Sequence, residues 1–146
     1  MKYRDIVLDL TFEYAKKVIG DCEDLTIKFS RSMKYPNGKC YPFRKVIIYN
    51  DRYLALNKHN IEALRYTIIE ECAHLRYHTH CKEFYDLCIE LGYDVRIPPD
   101  GIRFYWKYHI RCNECGNGKY YYNEPRKFVC KNCGGSSVLV TKSDFG

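Results

Sequence analysis

Two short units, Cys112-x2-Cys115-Gly116 and Cys130-x2-Cys133-Gly134, constrain this chain more than any other feature. Two thiols at that spacing sit on a tight turn whose backbone amides point at sulfur. The glycine that follows supplies the positive φ such a turn needs. Two turns of this kind facing each other form a tetrahedral four-sulfur site that suits zinc. The 14 residues between Cys115 and Cys130 leave room for a hairpin running from 119–122 to 126–129. A ribbon this small has almost no core, so the metal is expected to hold it folded. Cys112, Cys115, Cys130 and Cys133 are therefore the expected ligands of one structural zinc ion.

The chain has 9 cysteines in 146 residues, an odd number that excludes a fully paired disulfide framework. Met1 to Asp5 is too polar for a signal peptide, and no apolar run approaches the roughly 18 residues of a membrane helix. These readings point to an intracellular, reducing setting without membrane contact. Cys22, Cys40, Cys72, Cys81 and Cys88, which lie among apolar neighbours or at helix positions, are then expected to pack in the core. Aromatic residues make up 16% of the chain, which excludes general disorder. Residues 1–100 carry 16 basic and 15 acidic side chains, and residues 101–146 carry 8 and 3. A basic C-terminal part suggests a polyanionic partner. Four zinc-bound thiolates there would cancel much of the asymmetry.

Along the chain, Asp5 to Ile19 repeats apolar residues at Ile6, Leu10, Ala15, Val18 and Ile19, which predicts a helix stopped by Gly20. Leu25 to Ser30 alternates as a strand does. Pro36-Asn37-Gly38 reads as a hairpin turn. Cys40 to Phe43 and Val46 to Tyr49 read as the next strands of a short antiparallel sheet. Ile61, Leu64, Ile68, Cys72 and Leu75 then recur at helical spacing behind Asn60, a suitable cap. A further helix is expected from about Cys81, with Phe84, Leu87, Cys88 and Leu91 on its apolar face and Gly92 at its end. Pro98-Pro99 and Asp100-Gly101 mark a linker. The fold class is α+β, with a core over residues 1–100 and a four-cysteine zinc ribbon over residues 101–146.

The second chemical cluster is Glu70-Glu71-Cys72-Ala73-His74, followed by His78 and His80. On a helix Glu70 and His74 share one stripe with Ala63 and Thr67, whose small side chains would leave room beside the polar pair. The zincin pattern His-Glu-x-x-His places two ligands at i and i+4 and a general-base glutamate at i+1. Here it reads Glu70-Glu71-x-x-His74, with a carboxylate in place of the first histidine. Carboxylate remains a legitimate zinc ligand. His80, six residues beyond His74, is the better placed third ligand, and His78 is its competitor. A carboxylate-containing site is also permissive toward manganese or iron. The bland alternative is a solvated charged face with scattered histidines. In the C-terminal part, Arg103, Lys107, Arg111, Tyr120, Tyr122, Arg126 and Lys127 offer cations and rings for phosphates and bases.

In this order the residues resemble the SprT-like family, which includes the Spartan proteases. The likeness runs from the leading helix through Phe29-Ser30-Arg31-Ser32-Met33, the Gly38-Lys39-Cys40 turn and the strand Val46 to Asn50. It continues through the metal helix Thr67 to Leu75 and His80-Cys81-Lys82-Glu83-Phe84 to a ribbon opened by Tyr108 to Cys112. The resemblance implies a minimal zincin-like core followed by a zinc ribbon. It implies an intracellular zinc endopeptidase acting on protein substrates, some crosslinked to DNA, with single-stranded or damaged DNA as a partner. On this chain it assigns Glu71 as the catalytic glutamate and Glu70, His74 and His80 as ligands of a second, catalytic zinc. Glu70 stands where the family has histidine. The alternative implied by that departure is an inactive SprT-like zinc module that binds nucleic acid or a protein.

Overall fold

The computed structural model describes residues 2–33, 36–103, 108–116, 118–121, 129–130 and 132–142. The element order is α1 (Tyr3–Ile19), β1 (Thr26–Ser30), β2 (Gly38–Tyr41), β3 (Val46–Asn50), α2 (Asp51–Leu56), α3 (Ile61–His74), α4 (Lys82–Leu91), β4 (Tyr108–Cys112), β5 (Gly118–Tyr121) and β6 (Val138–Lys142). The class is α+β, as expected. No helix among the described residues is long and apolar enough to cross a membrane.

Helix α3 is the centre of the structure and touches α1, α4 and β2. It is buried nearly all round, through Ala63, Leu64, Tyr66, Thr67, Ile68, Ile69, Glu71, Cys72 and Ala73. That pattern marks an interior helix, whereas a surface helix buries one stripe. Asn60 caps it as expected, its side chain accepting from the Ala63 N–H at 3.2 Å. Ile61, expected in the core, is 41% exposed because it lies in the first turn, before the helix reaches the interior. The apolar face expected for α4 is buried in full: Phe84, Leu87, Cys88 and Leu91.

Helix α1 buries Val7, Thr11, Tyr14, Ala15 and Val18, one position round from the Ile6 and Leu10 expected to face inward. Thr11 makes this register possible. Its hydroxyl donates to the Val7 carbonyl at 2.6 Å and meets the Tyr49 hydroxyl at 2.8 Å, so a polar group enters the core with its hydrogen bonds made.

The first sheet corrects the expected antiparallel arrangement. Its order is β1-β3-β2, with β1 parallel to β3 and β2 antiparallel to β3. Asn37-Gly38 therefore turns no hairpin between β1 and β2, which are not neighbours. The hairpin is β2–β3, and Lys45 in its turn takes φ 52°. The segment before β2 is held by Asn50 instead. Its side-chain amide donates to the Pro36 carbonyl at 2.9 Å, and its oxygen accepts from the Arg52 and Tyr53 N–H groups to cap α2. With β3 in the middle, β2 is left as an open edge among the described residues.

The first residue of α2, Asp51, is 1% exposed and gathers four hydrogen bonds from three residues. Arg4 reaches it through Nη2 at 2.6 Å and Nε at 3.1 Å, Arg31 through Nε at 3.1 Å, and the Tyr3 hydroxyl at 2.9 Å. Burial alone would raise this carboxyl, but the hydrogen bonds from Arg4, Tyr3 and Arg31 outweigh it and hold Asp51 below the usual range.

The second sheet has the order β5-β4-β6, antiparallel throughout, with Ile110 of β4 buried. In it β5 pairs with β4. The expected hairpin partner of β5 over 126–129 lies mostly outside the described residues.

A carboxyl with a depressed pKa adds stability above its unfolded value near 3.9, and that stability is lost as pH falls through the folded pKa. Asp51→Asn is expected to cost about 2 kcal/mol at pH 7, below the ceiling for a fully buried pair because solvent reaches both arginines. Urea midpoints for the variant and the parent chain should differ by a constant amount above about pH 5 and draw together only as pH falls below about 3.9 toward about 2.

Candidate metal centres

The Glu70–His74 stripe lies on the last turns of α3. The chain then turns through 75–80 and delivers His80 just before α4. One ligand atom each from Glu70, His74 and His80 lies within 4.8 Å of the others. His74 Nε2 is 3.1 Å from His80 Nε2, and His80 Nε2 is 3.6 Å from Glu70 Oε1. Ligands of a tetrahedral zinc ion with bonds of about 2.0–2.1 Å stand roughly 3.3 Å apart, and the two separations from His80 Nε2 bracket that spacing. His78 is not in this group, and its ring packs 4.8 Å from that of exposed Phe43.

His74 is oriented by a contact that sequence spacing does not reveal. Its Nδ1 lies 2.9 Å from the Tyr77 carbonyl. A carbonyl only accepts, so Nδ1 carries the hydrogen and Nε2 of the neutral ring presents its lone pair to the cluster. Both histidine rings lean on buried Phe84, at centroid distances of 4.5 and 4.7 Å. Burial lowers both histidines, with the Tyr77 bond working in the opposite direction for His74. Both are thus biased to the neutral form that a metal requires.

Glu71 projects to the other side of the stripe and is 5% exposed. Its Oε2 is buried without a hydrogen-bond partner among the described residues. Burial pushes Glu70 up to about 7. It raises Glu71 well above the carboxylate range, and the neighbouring Glu70 raises it further. Space for Glu71 comes from Gly38 at the start of β2, where a Cβ would stand 3.0 Å from Glu71 Cγ and 3.2 Å from Cδ. The signal for this was a glycine opening an edge strand, which the reading of Asn37-Gly38 as a turn obscured.

Glu71 and His74 open into a cleft of about 490 Å³ whose other wall is β2 and the turn after it: Gly38, Lys39, Cys40, Tyr41, Pro42 and Phe43. Cys40, next to Glu71, is pushed up to about 12 by burial and by the Glu71 charge, so it stays a thiol. The room expected beside Ala63 and Thr67 is filled. The Tyr53 hydroxyl donates to the Ala63 carbonyl at 3.0 Å and accepts from Thr67 Oγ1 at 2.8 Å.

The four ribbon cysteines form a second group with all sulfurs within 4.8 Å of one another. Cys112 and Cys133 Sγ are 3.5 Å apart, as are Cys115 and Cys130 Sγ. Both turns have the expected form, with Gly116 and Gly134 each at φ 77° and their N–H groups donating to the Cys112 and Cys130 carbonyls. This group is positioned to bind a metal ion and is compatible with a zinc ribbon. Of the remaining cysteines, Cys72 and Cys88 are buried, and Cys22, Cys40 and Cys81 are partly so.

Among the candidate nucleic-acid contacts, Arg103 is exposed and its backbone is held at both ends by Asn57. Its N–H donates to Asn57 Oδ1 at 2.8 Å, and its carbonyl accepts from Asn57 Nδ2 at 2.7 Å. Arg111 is exposed on β4, and Tyr120 lies on β5. Lys107, Tyr122, Arg126 and Lys127 lie outside the described residues.

The full chain is expected to bind two divalent ions, counted by native mass spectrometry after zinc loading. His74→Ala should retain one, Cys133→Ser should retain one, and the double variant none. Two ions bound by His74→Ala would remove His74 from the ligand set. No protein-family model matches the chain, and a search of curated proteins finds no match.

Proposed function

We propose that this chain is a zinc-dependent endopeptidase with a SprT-like, zincin-like core, in which Glu70, His74 and His80 hold the catalytic ion and the four cysteines hold a structural one. The observation that carries this reading is Glu71: a buried carboxyl with an unpartnered oxygen, adjacent in sequence to a ligand, at the floor of a cleft walled by an open strand edge. A purely structural glutamate at that depth would be paired.

A zinc ion in such a site supplies Lewis acidity, lowering the pKa of a water and polarising a carbonyl. The chain's own residues do the rest. Glu71, facing the cleft, takes a proton from the attacking water and returns it to the leaving amine. Burial raises its pKa, which makes it a stronger base, and a bound cation would act in the opposite direction. Tyr77 fixes His74 through Nδ1. Gly38 leaves Glu71 its space. The free backbone N–H and C=O groups on the outer edge of β2 can pair with an extended peptide as an added strand. Tyr41, Pro42 and Phe43, the last 91% exposed, give that peptide an apolar wall.

Glu71→Gln keeps the shape and removes the base. It is expected to lower cleavage of an unfolded protein substrate by about 10²–10⁴-fold, with two zinc ions still bound. Gly38→Ala should give a smaller loss with zinc content unchanged, because it displaces the Glu71 side chain and none of the ligands. Full cleavage by Glu71→Gln would overturn the mechanism. A parent chain that binds both ions and cleaves nothing would leave a binding module.

A further inference from the structure

The three strands of the first sheet and their connections, residues 26–50, contain six lysines and arginines and no aspartate or glutamate. Arg31 is held by Asp51. Lys28, Lys39, Arg44 and Lys45 form no ion pair among the described residues. Lys39 stands in the middle of β2, the strand that walls the cleft. Successive side chains of a strand point to opposite faces. In β2, Gly38 and Cys40 are half-buried on the Glu71 side, whereas Lys39 and Tyr41 alternate to the exposed face at the cleft rim. The register carries the positive charge across that face, with Lys39 opposite Ile48 of β3 and Ile48 opposite Lys28 of β1. On the cleft side, Cys40, Pro42 and Phe43 line the wall beside His78. The Phe43 ring is 91% exposed although it lies 4.8 Å from that of His78, so most of it is left for a further contact. The open edge thus has two chemically different faces, one basic and one apolar and aromatic.

We propose that the β2 edge selects extended peptides that place a carboxylate on the Lys39 face and, one residue away, a bulky apolar side chain on the cleft side against Phe43 and His78. This inference rests on the reading of the edge as the seat of a peptide substrate, and it names the class of that substrate. A strand laid on β2 continues its pleat, so the side chains of the peptide alternate between the same two faces. An aspartate or glutamate beside Lys39 makes a cross-strand pair of opposite charge, and a lysine there meets a like charge. The neighbouring residue covers an aromatic surface that water now covers. Lys39 and Phe43 are specificity-determining residues in this arrangement. Neither holds the ion or moves the proton.

The test uses three capped ten-residue peptides, otherwise all serine, centred on Ser-Phe-Glu-Phe-Ser, Phe-Ser-Glu-Ser-Phe and Ser-Phe-Lys-Phe-Ser. The first two share one composition, but the second puts the acid and both rings on the same face. Binding is followed by fluorescence anisotropy on the zinc-loaded full chain carrying Glu71→Gln, and kcat/KM is measured on the parent chain. The first peptide is expected to bind roughly threefold to tenfold more tightly than either of the others. Lys39→Glu should reverse the preference between glutamate and lysine, an outcome that a folding defect cannot imitate. Phe43→Ala should remove the advantage of the first peptide over the second and keep the preference for glutamate over lysine. Equal affinity for all three peptides, binding of none, or a glutamate preference that survives Lys39→Glu would overturn the proposal. Cleavage of all three at one rate by the parent chain would overturn it and leave the peptidase reading standing. Discrimination in binding without any cleavage by the parent would uphold it and remove the peptidase reading. A parent chain that dimerises in sedimentation, and that the first peptide dissociates, would overturn it in favour of a second copy as the occupant.

Discussion

Helix α3 carries Glu70 and Glu71 side by side into the interior, and neither has a lysine or arginine partner among the described residues. Two adjacent carboxyls in low dielectric cannot both ionise without a compensating cation. The surrounding structure is arranged around that constraint. Two histidines are biased to neutrality and turned so that Nε2 atoms face Glu70. A glycine stands where any side chain would strike Glu71. A tyrosine carbonyl fixes one imidazole, and a phenylalanine supports both rings. Each of these contacts has a plain use if a divalent ion completes the site, and little use otherwise.

The legible and illegible parts of this fold divide along physical lines. Helices α1, α3 and α4 were readable because their ends are chemically marked, by Asn60 and by the glycines at 20 and 92, and because amphipathic period survives in sequence. The knuckles were readable because thiol spacing and glycine conformation are local. Glu70, His74 and His80 could be grouped because i, i+4 and a short following turn are also local. The parallel pairing of β1 with β3 could not be read, since strand order depends on contacts between segments some twenty residues apart. Asn37-Gly38, a strong local hairpin signal, was overridden by the Asn50 side chain, which ties that loop by a tertiary contact. Helix α2 escaped notice because six residues give too short a period. The interior position of Thr11 was likewise hidden, since its partner hydroxyl comes from Tyr49 on another element.

The two cysteine populations follow the same division. The four ribbon sulfurs face one another beside a small sheet in which Ile110 is buried, and their grouping suits coordination of an ion. Cys72 and Cys88 sit inside a core that would persist without any metal, and Cys72 Sγ spends its weak donor on the Thr11 carbonyl at 3.6 Å. If an ion fills the four-sulfur site, the ribbon and the helical core rest on different sources of stability, one of them removable by a chelator.

The open edge of β2 has a consequence for the molecule at high concentration. Unpaired backbone groups cannot distinguish an unrelated extended peptide from the same strand of another copy. Antiparallel self-pairing of two such edges would seal both clefts. Two features work against it. The strand is only four residues long, and Lys39 in its middle would be brought close to its own counterpart across the pair. Like-charge repulsion at that point keeps the edge available, so a single lysine in the cleft wall opposite Glu71 and His74 works against self-pairing of the chain.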